Sequence, residues 1–266
     1  MDLDSKFSFK CHPGVKCFNQ CCGDVNIFLT PYDVLRLKNR LGISSSEFMN
    51  KYTAMPIDKN QKFPVILFRM NHEKSNNCYF VDEKTGCTVY EDRPWACRMY
   101  PLGMASPKKG SPEGDHDFFF LLKEDICMGH KEDKQFTVKE WLDNQGIEEY
   151  NANGKEYKDI TLHDFFEKGG QLNSSQMEMF YTACYDLDKF RAFVFESSFL
   201  QRFKVDKDVI AAIEKTDEAL LSFAFLWLRF CLFGEPTLDV MDKEMKGKKA
   251  KEEAQKKQDS NNTGKK

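Results

Sequence analysis

The sequence predicts an α+β fold: a small cysteine-rich metal-binding region with short strands and a hairpin, packed against a mainly helical C-terminal half. Three observations carry this. Seven of the ten cysteines fall in the first 97 residues, four of them within Cys11 to Cys22. Around them lie short apolar runs punctuated by Gly, Pro and Asn, the pattern of short strands and turns. From Thr137 onward apolar residues recur at three- and four-residue spacing, with Thr starts answered by Gly stops, which is helical. The expected organisation is a cysteine-cluster region over 1–136, a helical region over 137–238, and a disordered lysine-rich tail over 239–266.

A chain of 266 residues is long enough to bury a substantial core without covalent staples. Ten cysteines in that length fall well short of the roughly 8–10% that marks a disulfide scaffold. The opening MDLDSKFSFKC alternates charges and has no apolar stretch of the signal-peptide kind. A reducing, cytoplasmic setting is therefore expected, where clustered cysteines bind metal or do chemistry rather than form bridges. The longest apolar run, Ala219 to Phe233, is broken by Ser222 and Arg229 and falls short of the about 20 residues of a membrane span. It reads as a buried core helix.

The net charge of −3 is unevenly spread. Met241 to Lys266 carries nine lysines against five carboxylates, which leaves −7 on residues 1–240. Such a tail can touch nucleic acid or acidic lipid, but a solvated chain is the simpler reading. No basic face interleaved with aromatics supports specific nucleic-acid binding.

In chain order, DVNIFLT reads as a strand, and Thr30-Pro31 then starts a helix with Val34, Leu35, Leu37 and Leu41 on its apolar side and Gly42 at its end. Ser44 and Glu47 form a capping box for a second short helix, expected to pack beside the cysteine site rather than form it. KFPVILFRM reads as a buried strand. CYFVDEKTGCTVY reads as a hairpin over Cys78 to Val81 and Cys87 to Tyr90, turning at Gly86. Pro94 and Pro101 bracket a short turn that delivers Cys97. DFFFLLK is a further strand leading to Cys127, preceded by the loop SPKKGSPEGD. Beyond it, helices are expected over VKEWLDNQ, closed by Gly146, then over LHDFFEK, SSQMEMFYTACYDL and KFRAFVFESSFL, and from Thr216 to Gly234.

Eight cysteines sit at turns or strand ends: Cys11, Cys17, Cys21, Cys22, Cys78, Cys87, Cys97 and Cys127. A tetrahedral thiolate site needs four, so eight could supply two closed sites, or one cluster with neighbours left over. The spacing contains no CxxC pair and matches neither zinc-finger nor ferredoxin patterns. Adjacent Cys21 and Cys22 point to opposite sides of an extended backbone, so either the chain turns there or the two serve different atoms. Cys184 and Cys231 lie in apolar helices and read as buried thiols. His12 and His130 flank Cys11 and Cys127 and are either further ligands or ordinary surface histidines; no histidine sits in a nucleophile signature.

The order CxxxCC, LTPYDVLRLKNRLGIS, NNCYFVDEKTGCTVYEDRPWACRMYPLG and ICMGH over about residues 7 to 145 resembles the YkgJ-type cysteine-cluster family, zinc- or iron-chelating domains. The resemblance implies an iron–sulfur cluster or zinc held by Cys17, Cys21, Cys22, Cys78, Cys87, Cys97 and Cys127. The family places two residues between its first two cysteines; here HPGVK places five, which sets Cys11 apart. Arg93 and Arg98 belong to the same motif. They either offset thiolate charge at the cofactor or, in the case of Arg93, pair with Asp92 or Glu91 at the surface. The expected function is a cytoplasmic metal-binding protein. The alternatives are a cluster-dependent enzyme modifying protein lysine, since flagellin lysine methylases are similar in cysteine pattern, or a metal carrier or sensor with a protein partner.

Overall fold

A computed structural model describes residues 1–56, 58, 61–106 and 117–240. Residues 241–266 of the expected lysine-rich tail, His116 and nearly all of the loop SPKKGSPEGD lie outside the described residues, while Asp239–Val240, expected to begin the tail, form a short strand. The fold is α+β, with small antiparallel strand pairs before residue 137 and helices after it.

The first half runs β1 (Lys6–Ser8), the cysteine-rich loop, β2 (Phe28–Leu29), α1 (Pro31–Leu41), α2 (Ser45–Tyr52), β3 (Thr53–Ala54), β4 (Ile66–Phe68), β5 (Met70–Asn71), β6 (Asn77–Cys78), β7 (Val81–Asp82), β8 (Gly86–Cys87), α3 (Trp95–Met99), β9 (Leu102–Ala105), β10 (Phe118–Leu121) and β11 (Gln135–Thr137). Thr30 and Asp33 exchange both bonds of a capping box, with Pro31 in the first helical position. Ser44 caps α2 through Glu47 N alone. KFPVILFRM divides in two: β4 is the middle of a three-stranded sheet in the order β2-β4-β3, and β5 leaves it to pair with β6.

The hairpin is shorter than the sequence suggests. Val81 pairs with Cys87 and Asp82 with Gly86, while Cys78 pairs instead with Met70. The Asp82 carboxylate closes the turn by accepting from Lys84 N, Thr85 N and the Thr85 hydroxyl, a side-chain mimic of backbone pairing. Phe80, between the two pairs, is buried in the core rather than held in a ladder.

The second half is α4 (Val138–Gln145), α5 (Ile147–Thr161), α6 (Asp164–Glu167), α7 (Ser174–Tyr185), α8 (Leu187–Glu196), α9 (Phe199–Arg202), β12 (Phe203–Lys204), α10 (Lys207–Lys215), α11 (Asp217–Phe233) and β13 (Asp239–Val240). The expected stops at Gly146 and Gly234 are met, both in the left-handed conformation. Two helices, α5 and α10, were not legible as separate periodic runs. Among the described residues, no helix is long and apolar enough to cross a membrane; α11 is core, with Leu220, Leu221, Phe225 and Leu228 buried.

Two apolar clusters result. The larger joins α1 and α2 to the later helices, with Val34, Leu35, Leu37 and Phe48 packed among Phe180, Phe190, Leu220 and Leu228. Polar ties secure the same seam: Ser45 donates to Asp186, and Lys38 meets Asp217 at 2.6 Å. The smaller cluster gathers Phe7, Phe9, Met99, Leu102, Phe119, Val138, Trp141 and Ile147.

Asp33 ties the helical seam to the cysteine region. Its carboxylate is fully buried and accepts from Thr30 N at 2.7 Å and from Trp95 N at 2.8 Å, so one side chain serves the first turns of both α1 and α3. Burial pushes the carboxyl up to about 6, against the opposing pull of the Trp95 and Thr30 bonds. Asp33→Ala strands two interior N–H donors, each worth about 1–3 kcal/mol. Urea unfolding at neutral pH should show a loss of about 3 kcal/mol, and Asp33→Asn, which keeps an acceptor, should lose less. An unchanged midpoint in the alanine variant would remove Asp33 from this role.

Candidate metal centre

The cysteine-rich loop has little regular structure of its own and is positioned by what it touches. On one side, Lys10 N donates to Gly129 O at 3.0 Å, His12 Nε2 meets Glu132 at 3.0 Å, and Met128 N donates to the Cys17 sulfur at 3.1 Å. On the other, Asn19 Nδ2 donates to the carbonyls of Asp82 and Glu83, and Gly23 bridges to Asn77.

Two glycines permit the second contact. A Cβ on Gly23 would stand 2.4 Å from the Asn77 side chain. One on Gly86, at φ +89°, would stand 2.9 Å from the Phe18 ring, in a conformation that β-carbon-bearing residues rarely adopt.

This docking brings together all eight cysteines named from the sequence. Cys11, Cys17, Cys21, Cys22, Cys78, Cys87, Cys97 and Cys127 line one cavity of about 500 Å³. It lies between the two apolar clusters, walled by Phe68, Phe80 and Val89 from one and by Phe9 and Trp141 from the other. All ten cysteines are free thiols; Cys184 is fully buried in the helical core, and Cys231 is half-buried beside it.

The thiols lean on one another electrostatically. Although Cys11 is exposed, partial desolvation, then Cys21, Cys17 and Cys127, pushes it up to about 11. Burial, then Cys78 and Cys87, pushes Cys97 up to about 12. Cys78 and Cys87 are raised by burial, Cys87 being eased by the Arg93 charge. Within the adjacent pair, the Cys22 thiol donates to Cys21, which lowers Cys21 to about 7 and raises Cys22.

Arg93 is at the cavity wall, and Arg98 is behind it. Buried Arg93 donates to Tyr90 O and Gln145 Oε1 and lies 3.6 Å from the Tyr90 ring centre. Its surface-pairing alternative is not realised: Asp92 pairs with Arg36 at 2.7 Å. Arg98 donates to the carbonyls of Arg93, Glu91 and Gln145, holding the backbone just before Pro94 to the end of α4. His12 lines the cavity but spends both ring nitrogens on Glu132 and Gly14 N. His130 donates to Leu122 O and packs on Phe9, outside the cavity lining. His72 and His163 pair with Asn76 and Glu235.

The tertiary structure adds residues of α4 that no sequence pattern marked. Trp141, Asn144 and Gln145 of α4 wall the cavity, and Gln145 holds Arg93. Tyr100, which belongs to the same motif as Arg93 and Arg98, lines the cavity as well; burial and a hydrogen bond to Cys127 raise its hydroxyl.

The donor set fits a thiophilic metal. Eight thiols face one cavity with a single arginine at its wall, so their joint ionisation calls for a cation between them. Among the described residues, no three His, Cys, Asp or Glu side chains already stand as a finished metal-holding group.

Residues 10–137 match the family model CxxCxxCC, described as a "putative zinc- or iron-chelating domain". No curated protein and no solved structure gives a significant match.

Thiols raised in the fold keep their protons where the unfolded chain has lost them. Their contribution is fully present below the ordinary thiol value of 9 and is lost as pH rises through the folded values, about 11 for Cys11 and about 12 for Cys97. Metal-free protein should thus lose stability between pH 9 and 11 in urea titrations, and saturating zinc should suppress that loss. A flat alkaline profile without metal would contradict the crowding.

Proposed function

Starting from a chain whose residues 10–137 form a domain of this cysteine-cluster family, we propose that it holds zinc or an iron–sulfur cluster through the eight cavity thiolates in a reducing compartment such as the cytoplasm. The observation that carries this reading is the convergence of all eight motif cysteines on one cavity. Bound there, the metal supplies a cross-link between chain segments far apart in sequence or, as iron–sulfur, a site for an electron.

The chain's own residues divide the remaining work. The thiols hold the metal, and Arg93 offsets excess thiolate charge next to Cys87 and Cys97. Arg98 fixes the backbone that presents Cys97. Phe9, Phe80 and Trp141 exclude water from the sulfur atoms. Cys11, despite its offset spacing, belongs with the others, since it faces the same cavity.

One observation favours a second reading, a cluster-dependent enzyme acting on a protein lysine or another small group. The volume of about 500 Å³ exceeds what bare ions require and falls in the range of small-molecule pockets, about 300–1,000 Å³.

Anaerobic purification with metal and sulfide analysis decides the chemistry. Iron with acid-labile sulfide and broad visible absorbance selects a cluster, and a colourless zinc protein selects zinc. A structural metal contributes on the order of 10 kcal/mol, so chelator treatment should move the urea midpoint of the N-terminal half far down while leaving a measurable transition. A chelator-treated protein that keeps its midpoint would defeat the proposal.

A further inference from the structure

We propose that the Arg93 wall of the cavity is a binding site for the carboxylate of a small, otherwise apolar organic acid. This rests on the second reading above, in which the cavity takes a small molecule, and adds the chemical class of that molecule.

Lys38, Arg93 and Arg98 are the buried cations among the described residues. Taking such a charge out of water is costly unless an opposite charge answers it. Lys38 meets Asp217 at 2.6 Å, and Arg98 acts on the fully buried Asp33 carboxylate. Arg93 is different. It donates to two neutral oxygens, Tyr90 O and Gln145 Oε1, and among the described residues it pairs with no carboxylate and hydrogen-bonds to no sulfur. A guanidinium carries further N–H donors in the same fixed fork, so both charge and donors are left over at a residue that lines the cavity. The Tyr90 ring covers one face of the guanidinium at 3.6 Å. That leaves the edge, the side from which a planar carboxylate accepts two parallel N–H bonds.

The neighbouring polar groups have the same polarity. Gln145, buried at the end of α4, accepts from Arg93 at Oε1 and donates from Nε2 to Asn144 Oδ1 at 2.7 Å. One side chain thereby holds the arginine and also occupies the Asn144 oxygen, so that what Asn144 has left to offer is its donors. A wall of donors around a cation suits an anion and rejects an amine. Tyr90 and Asn144 line the cavity yet are exposed. This wall therefore lies at the mouth, where a solute arrives from water.

The rest of the lining chooses among anions. Lys10, the other lysine or arginine there, is exposed, so the buried wall offers a single positive charge, enough for a monocarboxylate and short of what a polyphosphate needs. Phe9, Phe80, Val89 and Trp141 present apolar surface to the remainder of the ligand, and about 500 Å³ gives a ring and a short chain room beside the sulfur atoms.

The test uses the full chain as purified, with 3-phenylpropionate as probe and 3-phenylpropan-1-ol, the same body without the charge, as control, both titrated by calorimetry. The ratio of the two affinities is taken within each protein, so that a general loosening of the cavity cancels. Wild type should bind the acid at least about tenfold more tightly than the alcohol, the margin of a charge-assisted fork. Arg93→Met should bring that ratio to about one, and Lys10→Met should keep it. Equal affinities in wild type would keep the cavity as a small-molecule pocket and overturn the carboxylate site, as would an unchanged ratio in Arg93→Met; binding of neither compound would overturn both. Should Arg93→Met fail to fold, Lys10→Met decides, since loss of the ratio there moves the site away from Arg93. Metal analysis of the same samples reads the metal-binding proposal separately: a metal-free wild type that shows the margin fails that proposal and leaves this one standing.

Discussion

Eight thiols facing one cavity repel one another as soon as more than one ionises, and burial away from water sharpens that repulsion. Asp33 and Glu124 add to the negative field felt at Cys97 and Cys21, while Arg93 is the cation that eases it at Cys87 and Cys97. Much of the first 136 residues is arranged around this constraint. The loop over residues 10–24, the short hairpin and α3 share no extended sheet, so the thiols they carry meet only because separate polar pins hold each piece in place.

Those pins share a logic. Strands of two to four residues contribute few ladder bonds, and side chains take over the pairing of backbone groups. Asp33 serves the starts of two helices. Arg98 gathers three carbonyls, two just before Pro94 and one in α4. Asn19 holds the hairpin turn, and Asp82 closes it from within. Guanidinium and carboxylate groups are suited to this because each can satisfy several partners at once.

The helical half is more than a backing. Through α4 it contributes Trp141 and Gln145 to the cavity, and through α7, α8 and α11 it buries the apolar faces of α1 and α2. The charge on Arg93 is held by an amide oxygen from α4 rather than by a carboxylate. That leaves it available to the thiols.

The sequence alone determined what depends on near neighbours. The helix start at Thr30-Pro31, the cap at Thr137, the helix stops at Gly42, Gly146 and Gly234, and the buried helix ending at Phe233 are set by residues within a few positions of each other, where chain geometry leaves little choice. Sulfur chemistry likewise made the eight thiols recognisable as a set from their types and placement. Tertiary structure alone decided that Cys11 faces the same cavity as Cys127, that Cys78 pairs with Met70 rather than within the hairpin, and that α4 walls the site. Those contacts reach from the eight residues between Met70 and Cys78 to more than a hundred between Cys11 and Cys127. Their free energy comes from packing and from pins that no local pattern encodes.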